Sequence, residues 1–420
     1  MRSIMKRKEA VGKYEVGRLD FLKLSACAAA AAAWTWDGLA GTAGEEIVRH
    51  DAPPRNRRPY VGVDWANAFQ IRTTSHGHCD NQKMLDAYLK RGFELLTVSN
   101  YYPSAPRYPL KDVRENSFRI HHDFPVMVKG RRVEGPFDWN KIVGEWVDTL
   151  PEEQRKQYPF KEGDRLFKPI PAGILEAPNA EHHFFLDPKT KKLVRSFHMC
   201  SPAFASGTFD KRNKFKSHSR GWCFGSGEPW PIAIDRMIAG LVCPDGGGVT
   251  INHPTWSKMD YDFPAVLLDH DPRVLGLEVI NNKYLSEDYW DHVLRTGRQC
   301  FGFFVPDWGL WRGCNVLLVK ERTVEACLRA YRQGNFYGAV FGNRERFEHI
   351  SFDGRKLDVR IDRPMKIEVI SAKGTIESRT DKGIAFSTPA DAKANVYLRV
   401  KATATDDSGE MLFSQPFMLT

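Results

Sequence analysis

Hydrophobic and polar positions along the chain follow two rhythms. From Tyr60 to about residue 342, short apolar runs alternate with segments whose apolar residues recur at helical spacing. The first unit is "MLDAYLKRGFELLTVSN", with helical spacing over residues 84–89, a stop at Gly92 and a strand in "ELLTVSN". The same reading places a helix in "EPWPIAIDRMIAGLVCPDGG", strands in "GVTINHP" and "VLGLEVINN", and a helix in "SEDYWDHVLRTG". Strands follow in "QCFGFFVPD" and "CNVLLVK", then a helix in "TVEACLRAYRQG". Repeated strand and helix alternation predicts an α/β layout around a parallel sheet, open or closed into a barrel.

Two stretches break this rhythm, at about 103–165 and 196–231. Both are long insertions for a compact domain, and they read either as lids and binding loops or as surface decoration. After Gly342 the pattern changes to alternating β-runs, with DG and SG pairs marking tight turns. Residues 343–420 are therefore predicted to form a small antiparallel β-domain.

Residues 1–43 read as an export signal: a basic leader, the short apolar core "FLKLSACAAAAAAW", and small residues around "GLAGTAGEE" where a peptidase could cut. "GRLDFLK" resembles the twin-arginine signal pattern, with Arg18 as the first arginine and Leu19 in place of the second. The apolar run is interrupted by Lys23 and is shorter than the roughly 20 residues a spanning helix needs, so no membrane span is expected in the mature chain. The expectation is an exported protein, periplasmic or extracellular, with a linker over 44–59 and a catalytic or binding domain over 60–342.

Of the net charge of +9, the leader supplies a third, so the remainder is only mildly basic. "RNRRP" and "DKRNKFKSHSR" read as solvated loops, and no nucleic-acid module accompanies them. Seven cysteines follow the leader, at 79, 200, 223, 243, 300, 314 and 327. The number is odd and no CxxC occurs, which argues against a zinc ribbon and leaves room for one or two disulfides.

The chemistry starts at "TTSHGHCDNQKML". His76 and His78 are two residues apart, so on a strand both imidazoles point to one face. An isolated HxH is more often a polar pair at a strand end, and the case for metal comes from what lies elsewhere. "ILEAPNAEHHFFL" carries Glu176, His182 and His183, "TINHP" puts His253 at a strand's C-terminal end, and "FFVPDWG" puts Asp307 at another. In α/β barrels such ends converge on one mouth, where these side chains would meet around an ion.

Over residues 60–340 the sequence resembles the PHP family, the polymerase and histidinol phosphatase group of metal-dependent phosphoesterases. "CNVLLVKERTVEACLRAYRQGNFYGAV" is similar to its closing strand, helix and aL.GrfYa pattern; "GGGVTINHPTW" to its aHP strand; "VLGLEVINN" to its giEv.n strand. "DGRKLDV" and the final β-runs resemble the tail of exported PHP-like proteins. The resemblance implies a distorted (β/α)7 barrel of PHP type followed by the β-domain, with a polynuclear site, commonly of zinc, manganese or iron, which the replaced ligands named below reduce to one or two divalent ions, zinc or manganese first.

Carried over, His76 and His78 match the first HxH, Glu176 the central bridging glutamate, His183 or its neighbour His182 the next histidine, His253 the HP histidine and Asp307 the late aspartate. In another register Asp80 matches the family's SDG, which puts Thr73 and Ser75 at the HxH positions. Two family ligand motifs are replaced: "VSNYYPS" places Asn100 and Tyr101 where a TDH stands, and "PDWG" places Gly309 where a histidine stands. Tyr101, Tyr102, His182 and Arg312 are the candidates for an acid or a phosphate clamp.

The reading that follows is an exported metal-dependent hydrolase of a small-molecule phosphoester. The alternatives are a metallohydrolase of another substrate, or a PHP-like binding module for a sugar or other flat ligand, lined by Trp222, Trp230, Trp256, Trp308 and Trp311.

Overall fold

Strand β1 (Phe69–Thr73) alternates outward and inward residues, and Ile71 and Thr73 are its fully buried pair. It ends at the HGH segment, and the next helix, α1 (Gln82–Lys90), begins where the Asn81 side chain accepts the Met84 N–H at 3.1 Å. Leu85 and Tyr88 form its buried face, and Gly92, at φ +75°, turns the chain into β2 (Leu95–Leu96). A computed structural model describes residues 57–79, 81–99, 110, 127–128, 131–132, 167–183, 185–192, 194, 198–204, 229–309, 313–340, 346–388 and 395–419. The export signal, Asp80, Asn100, Tyr101, Tyr102, Arg312, Trp222 and Trp311, with most of both insertions, lie outside the described residues.

The remaining strands in chain order begin with β3 (Met127–Val128), β4 (Arg131–Arg132), β5 (Leu175–Glu176), β6 (Glu181–His183) and β7 (His198–Cys200). Helix α2 (Trp230–Ala239) precedes β8 (Val249–Ile251), which leads into the short α3 (Pro254–Ser257) and α4 (Phe263–His270). Next come β9 (Val274–Asn281), β10 (Tyr284–Leu285), α5 (Glu287–Arg295), β11 (Phe301–Val305), β12 (Gly313–Val319), α6 (Val324–Gln333) and β13 (Phe336–Val340). The chain closes with β14 (Phe347–Phe352), β15 (Lys356–Ser371), β16 (Gly374–Ser387), β17 (Tyr397–Thr403), β18 (Met411–Phe413) and β19 (Phe417–Met418).

These elements make a mixed α/β structure rather than a parallel one. An eleven-stranded sheet runs β14-β15-β17-β18-β13-β12-β1-β2-β5, with β16 on β15 and β19 on β17, and a six-stranded sheet runs β10-β9-β8-β7-β6, with β11 on β9. β1, β2 and β5 are parallel, as are β8, β9 and β11, but β1 meets β12 antiparallel and β6, β7 and β8 pair antiparallel. Among the described residues the strands do not close into a barrel. In place of the expected barrel the described strands form two mixed sheets, in which β12 meets β1 and β13 antiparallel and β7 meets β6 and β8 antiparallel.

The six-stranded sheet carries most of the site. β9 is buried along its whole length, as a strand covered on both faces must be. Helices α4 and α5 connect β8 to β9 and β9 to β11, and α5 inserts Tyr289, Trp290, Val293 and Leu294 into the core. Beyond β13 the strands are antiparallel, and Asp353 caps the Gly354 turn by accepting the N–H groups of Arg355 and Lys356 at 2.7 Å. β18 bonds to β13, so the C-terminal strands extend the eleven-stranded sheet. The buried Arg399 of β17 pairs with Asp291 and Glu287 of α5 and lies 4.9 Å over Trp290. The six described cysteines, all buried, are free thiols. No described helix is long and apolar enough to cross a membrane.

Candidate metal centre

His76 and His78 leave β1 on a segment clamped to the end of β11. His78 N donates to Asp307 O at 3.3 Å, and Asp307 N donates to His76 O at 3.2 Å. The intervening Gly77 is there because a Cβ would lie 2.5 Å from the Tyr88 hydroxyl, which donates to His78 O, and 3.0 Å from Thr74 Cγ2. On its other side, Gly77 N donates to Ser99 Oγ and Ser99 N donates back to Gly77 O. Two further site residues have left-handed backbones, His253 at φ +29° after β8 and Asp307 at φ +54° after β11. Strain of this kind persists only where surrounding structure fixes it, and it concentrates at functional sites.

The side chains converge on His76. Its Nε2 stands 3.3 Å from His78 Nε2, 3.4 Å from Glu181 Oε2 and 3.3 Å from Asp307 Oδ1. His78 Nε2 stands 3.1 Å from Glu181 Oε2 and 3.3 Å from Asp307 Oδ1. The donors thus form two triangles that share the His76–His78 edge. A tetrahedral ion with bonds of about 2.0–2.1 Å spaces its ligands about 3.3 Å apart, so either triangle has the dimensions of one face of such a site. Glu181 Oε2 is buried and has no hydrogen-bond partner despite the two nearby nitrogens, which face it without an aligned N–H. An oxygen in that position is satisfied by a cation.

A second layer holds these donors. His76 Nδ1 is 2.8 Å from Glu278 Oε1, which fixes the tautomer that turns the Nε2 lone pair inward. The other Glu278 oxygen accepts from His253 N and from Asn281 Nδ2, both at 2.7 Å. The remaining Glu181 oxygen accepts from His198 Nδ1 at 2.8 Å and from Asn252 Nδ2 at 3.3 Å, with His253 Nε2 at 3.6 Å. The His198 contact is a hydrogen bond, shorter than the spacing of two ligands on one ion, so the donor geometry supports one ion at the His76 triangles. Cys200 Sγ also lies in this layer, grouped with His76 and Glu278 and accepting from Asn252 Nδ2 at 3.3 Å.

Two buried carboxylates, Glu181 and Glu278, and the partly buried Asp307 face four imidazoles here, an arrangement that favours positive charge. Burial presses His76 and His78 downward, but Asp307 and Glu181 outweigh it and raise both, His76 well above its ordinary value. Burial pushes Glu181 and Asp307 upward, and the imidazoles led by His76 more than reverse it, so both stay ionised far below the usual carboxylate range. Burial wins at His198, which is lowered, and at His182, which is held well below its ordinary value by burial and Arg236. Burial also raises the Cys200 thiol, keeping it protonated.

The structure brings His76, His78, His253 and Asp307 into one donor cluster. Glu176 lies on β5, in none of the donor groups found among the described residues, and its Oε2 accepts from Leu110 N at 2.8 Å. Glu181, five residues later at the start of β6, points into the cluster instead. His183 pairs through its backbone with His198, and its side chain is outside the described atoms; His198 is the imidazole that meets Glu181. His182 faces the other side of β6 and bonds Ser201 Oγ at 2.9 Å, so it stands apart from the donor cluster. Sequence reasoning missed Glu181, His198, Glu278 and Cys200, although Glu181 immediately precedes the HH pair and Glu278 is the acid of "GLEVINN".

No protein-family profile matches the chain, and no curated protein does. Among solved structures the chain is similar to a two-domain protein from Bacteroides vulgatus ATCC 8482 containing a predicted PHP-like metal-dependent phosphoesterase. The identity is 12%, over 80% of this chain and 90% of that chain, with a TM-score of 0.38. A likeness of that degree does not define the fold, and the case for a metal centre stands on the donor cluster itself.

Proposed function

We propose that the chain is an exported metal-dependent hydrolase, with phosphoesters as its substrates, built on a PHP-like plan. The observation that carries this reading is the pair of donor triangles at 3.1–3.4 Å around the His76–His78 edge, with the unpartnered Glu181 Oε2 in one of them. His76, His78, Glu181 and Asp307 would hold the ion, with His253 beside them; mixed imidazole and carboxylate donors at this spacing favour zinc, with manganese next. A divalent ion there supplies Lewis acidity to a phosphoryl oxygen and lowers the pKa of water towards about 7.

The chain's own groups complete the chemistry. Glu278 orients His76 and, through the His253 N–H, the start of α3. Asp307 and Glu181 stay charged, so they meet the ion without first losing a proton. His198 is held neutral by burial, with its Nδ1 hydrogen on Glu181, so Nε2 is the end that takes or returns a proton. The same His198–Glu181 bond also favours a second reading, a PHP-like binding module whose donors are partly satisfied by protein. The test is turnover of p-nitrophenyl phosphate by the mature protein loaded with zinc or manganese, beside Glu181→Gln. Metal-dependent turnover lost in the variant supports the hydrolase; bound metal without turnover of any phosphomonoester or diester favours the binding module.

A further inference from the structure

Among the described donor residues, Asp307 and His198 are the two whose side chains reach solvent. The side chains of His76, His78, Glu181 and Glu278 are 0–2% exposed and His253 is 4%, whereas Asp307 and His198 are each 16%. A tryptophan stands beside each of these two. Trp308 follows Asp307 directly and stacks on His78, with centroids 4.7 Å apart and planes at 22°. Trp256 lies one helical turn after His253 and packs edge-on against it at 4.8 Å, with His198 at 5.8 Å. Both indoles are exposed, at 47% for Trp256 and 36% for Trp308.

Their spacing is fixed by the β9–β10 hairpin. Asn282 Nδ2 donates to Trp308 O at 3.0 Å, while Thr255 Oγ1 donates to Leu285 O at 3.2 Å and meets Ser286 Oγ at 2.7 Å. The hairpin therefore anchors both tryptophan-bearing segments, and each ring is placed by its contact with a histidine, Trp308 on His78 and Trp256 on His253. A half-exposed indole beside a buried polar centre offers a flat apolar face at the point where a substrate must pass.

Resting on the phosphoester reading above, we propose that Trp256 and Trp308 form the walls of a substrate subsite that receives a ring with an apolar face. The preferred substrates are then phosphoesters of cyclic alcohols, sugars or phenols, rather than of short open chains. In this arrangement the phosphoryl group reaches the donors past Asp307 and His198, and the ring is held outside them.

The test is calorimetric binding of two non-hydrolysable probes, methylphosphonate and phenylphosphonate, to the zinc-loaded mature protein. The phosphonate isostere of glucose 1-phosphate serves as a third arm that separates sugar from aryl rings. The variants are Trp256→Leu and Trp308→Leu, which keep an apolar side chain against the histidines. The wild type is expected to bind at least one ring-bearing probe about tenfold more tightly than methylphosphonate, and each variant to lose most of that preference while binding methylphosphonate and zinc as before. Equal affinities in the wild type, or a preference that survives both substitutions, overturns the subsite. A parallel loss of methylphosphonate or zinc in the variants also overturns it, since the tryptophans then act by supporting the histidines. Failure of the zinc-loaded wild type to bind any of the three probes contradicts the phosphoester reading itself.

Discussion

Gly77 shows how one residue can shape a donor cluster. The glycine lets two histidines on either side of it turn inward while Tyr88 fills the space a side chain would take. Gly77→Ala is expected to destabilise the protein by roughly 1–3 kcal/mol through overpacking and to lower its metal content, both readable from thermal unfolding and elemental analysis. Glu278 acts at one remove, through His76 Nδ1 and His253 N. Glu278→Gln keeps its shape and should weaken zinc binding about 10–100-fold, measured by competition with a chromogenic chelator. At this scale much of the site was legible: HxH, the HP histidine and the late aspartate all mark strand ends. Glu181 was harder because two acids flank the same turn, and only the strand pairing decides which one reaches the cluster.

The elements explain what the sequence did not reveal. His198 sits in a stretch that departs from the helix and strand rhythm and so reads as an insertion, yet three of its residues form β7 between β6 and β8. A three-residue strand has too few positions for its alternation to stand out, and its partners lie far away in sequence. Helical units with capping residues and long apolar faces, such as α1, α5 and α6, are visible because their signals are local. The antiparallel pairings of β12 with β1 and of β7 with β8 join segments distant in sequence and leave no local signal, whereas a parallel barrel is the simplest reading of alternating strands and helices. Arg399 likewise joins elements distant in sequence, β17 and α5. Arg399→Ala leaves Asp291 and Glu287 without their buried partner and should cost roughly 3 kcal/mol in urea unfolding.

Across the whole molecule, the cluster links proton binding, metal binding and stability. In metal-free protein His76 and His78 are raised above the ordinary 6.5, so their contribution is fully present below that value and is lost as pH rises through their folded values. Glu181 and Asp307 are depressed, so theirs is present above the usual 4.5 and 3.8 and is lost only as pH falls through their low folded values. With chelator, the melting temperature is expected to fall as pH rises from 6.5 to 9; zinc, which replaces the protons, should flatten that slope and raise the whole curve. Scanning fluorimetry across pH with and without zinc checks both signs. The hydrolytic activity and the substrate class proposed above both require that this cluster hold an ion.

Metal stoichiometry therefore comes first, by elemental analysis of the mature protein purified without chelators and reloaded with zinc, beside Glu181→Gln and Glu176→Gln. One ion per chain in the wild type and in Glu176→Gln, with loss in Glu181→Gln, is the predicted result. No ion in the wild type, or loss in Glu176→Gln with retention in Glu181→Gln, would contradict the account.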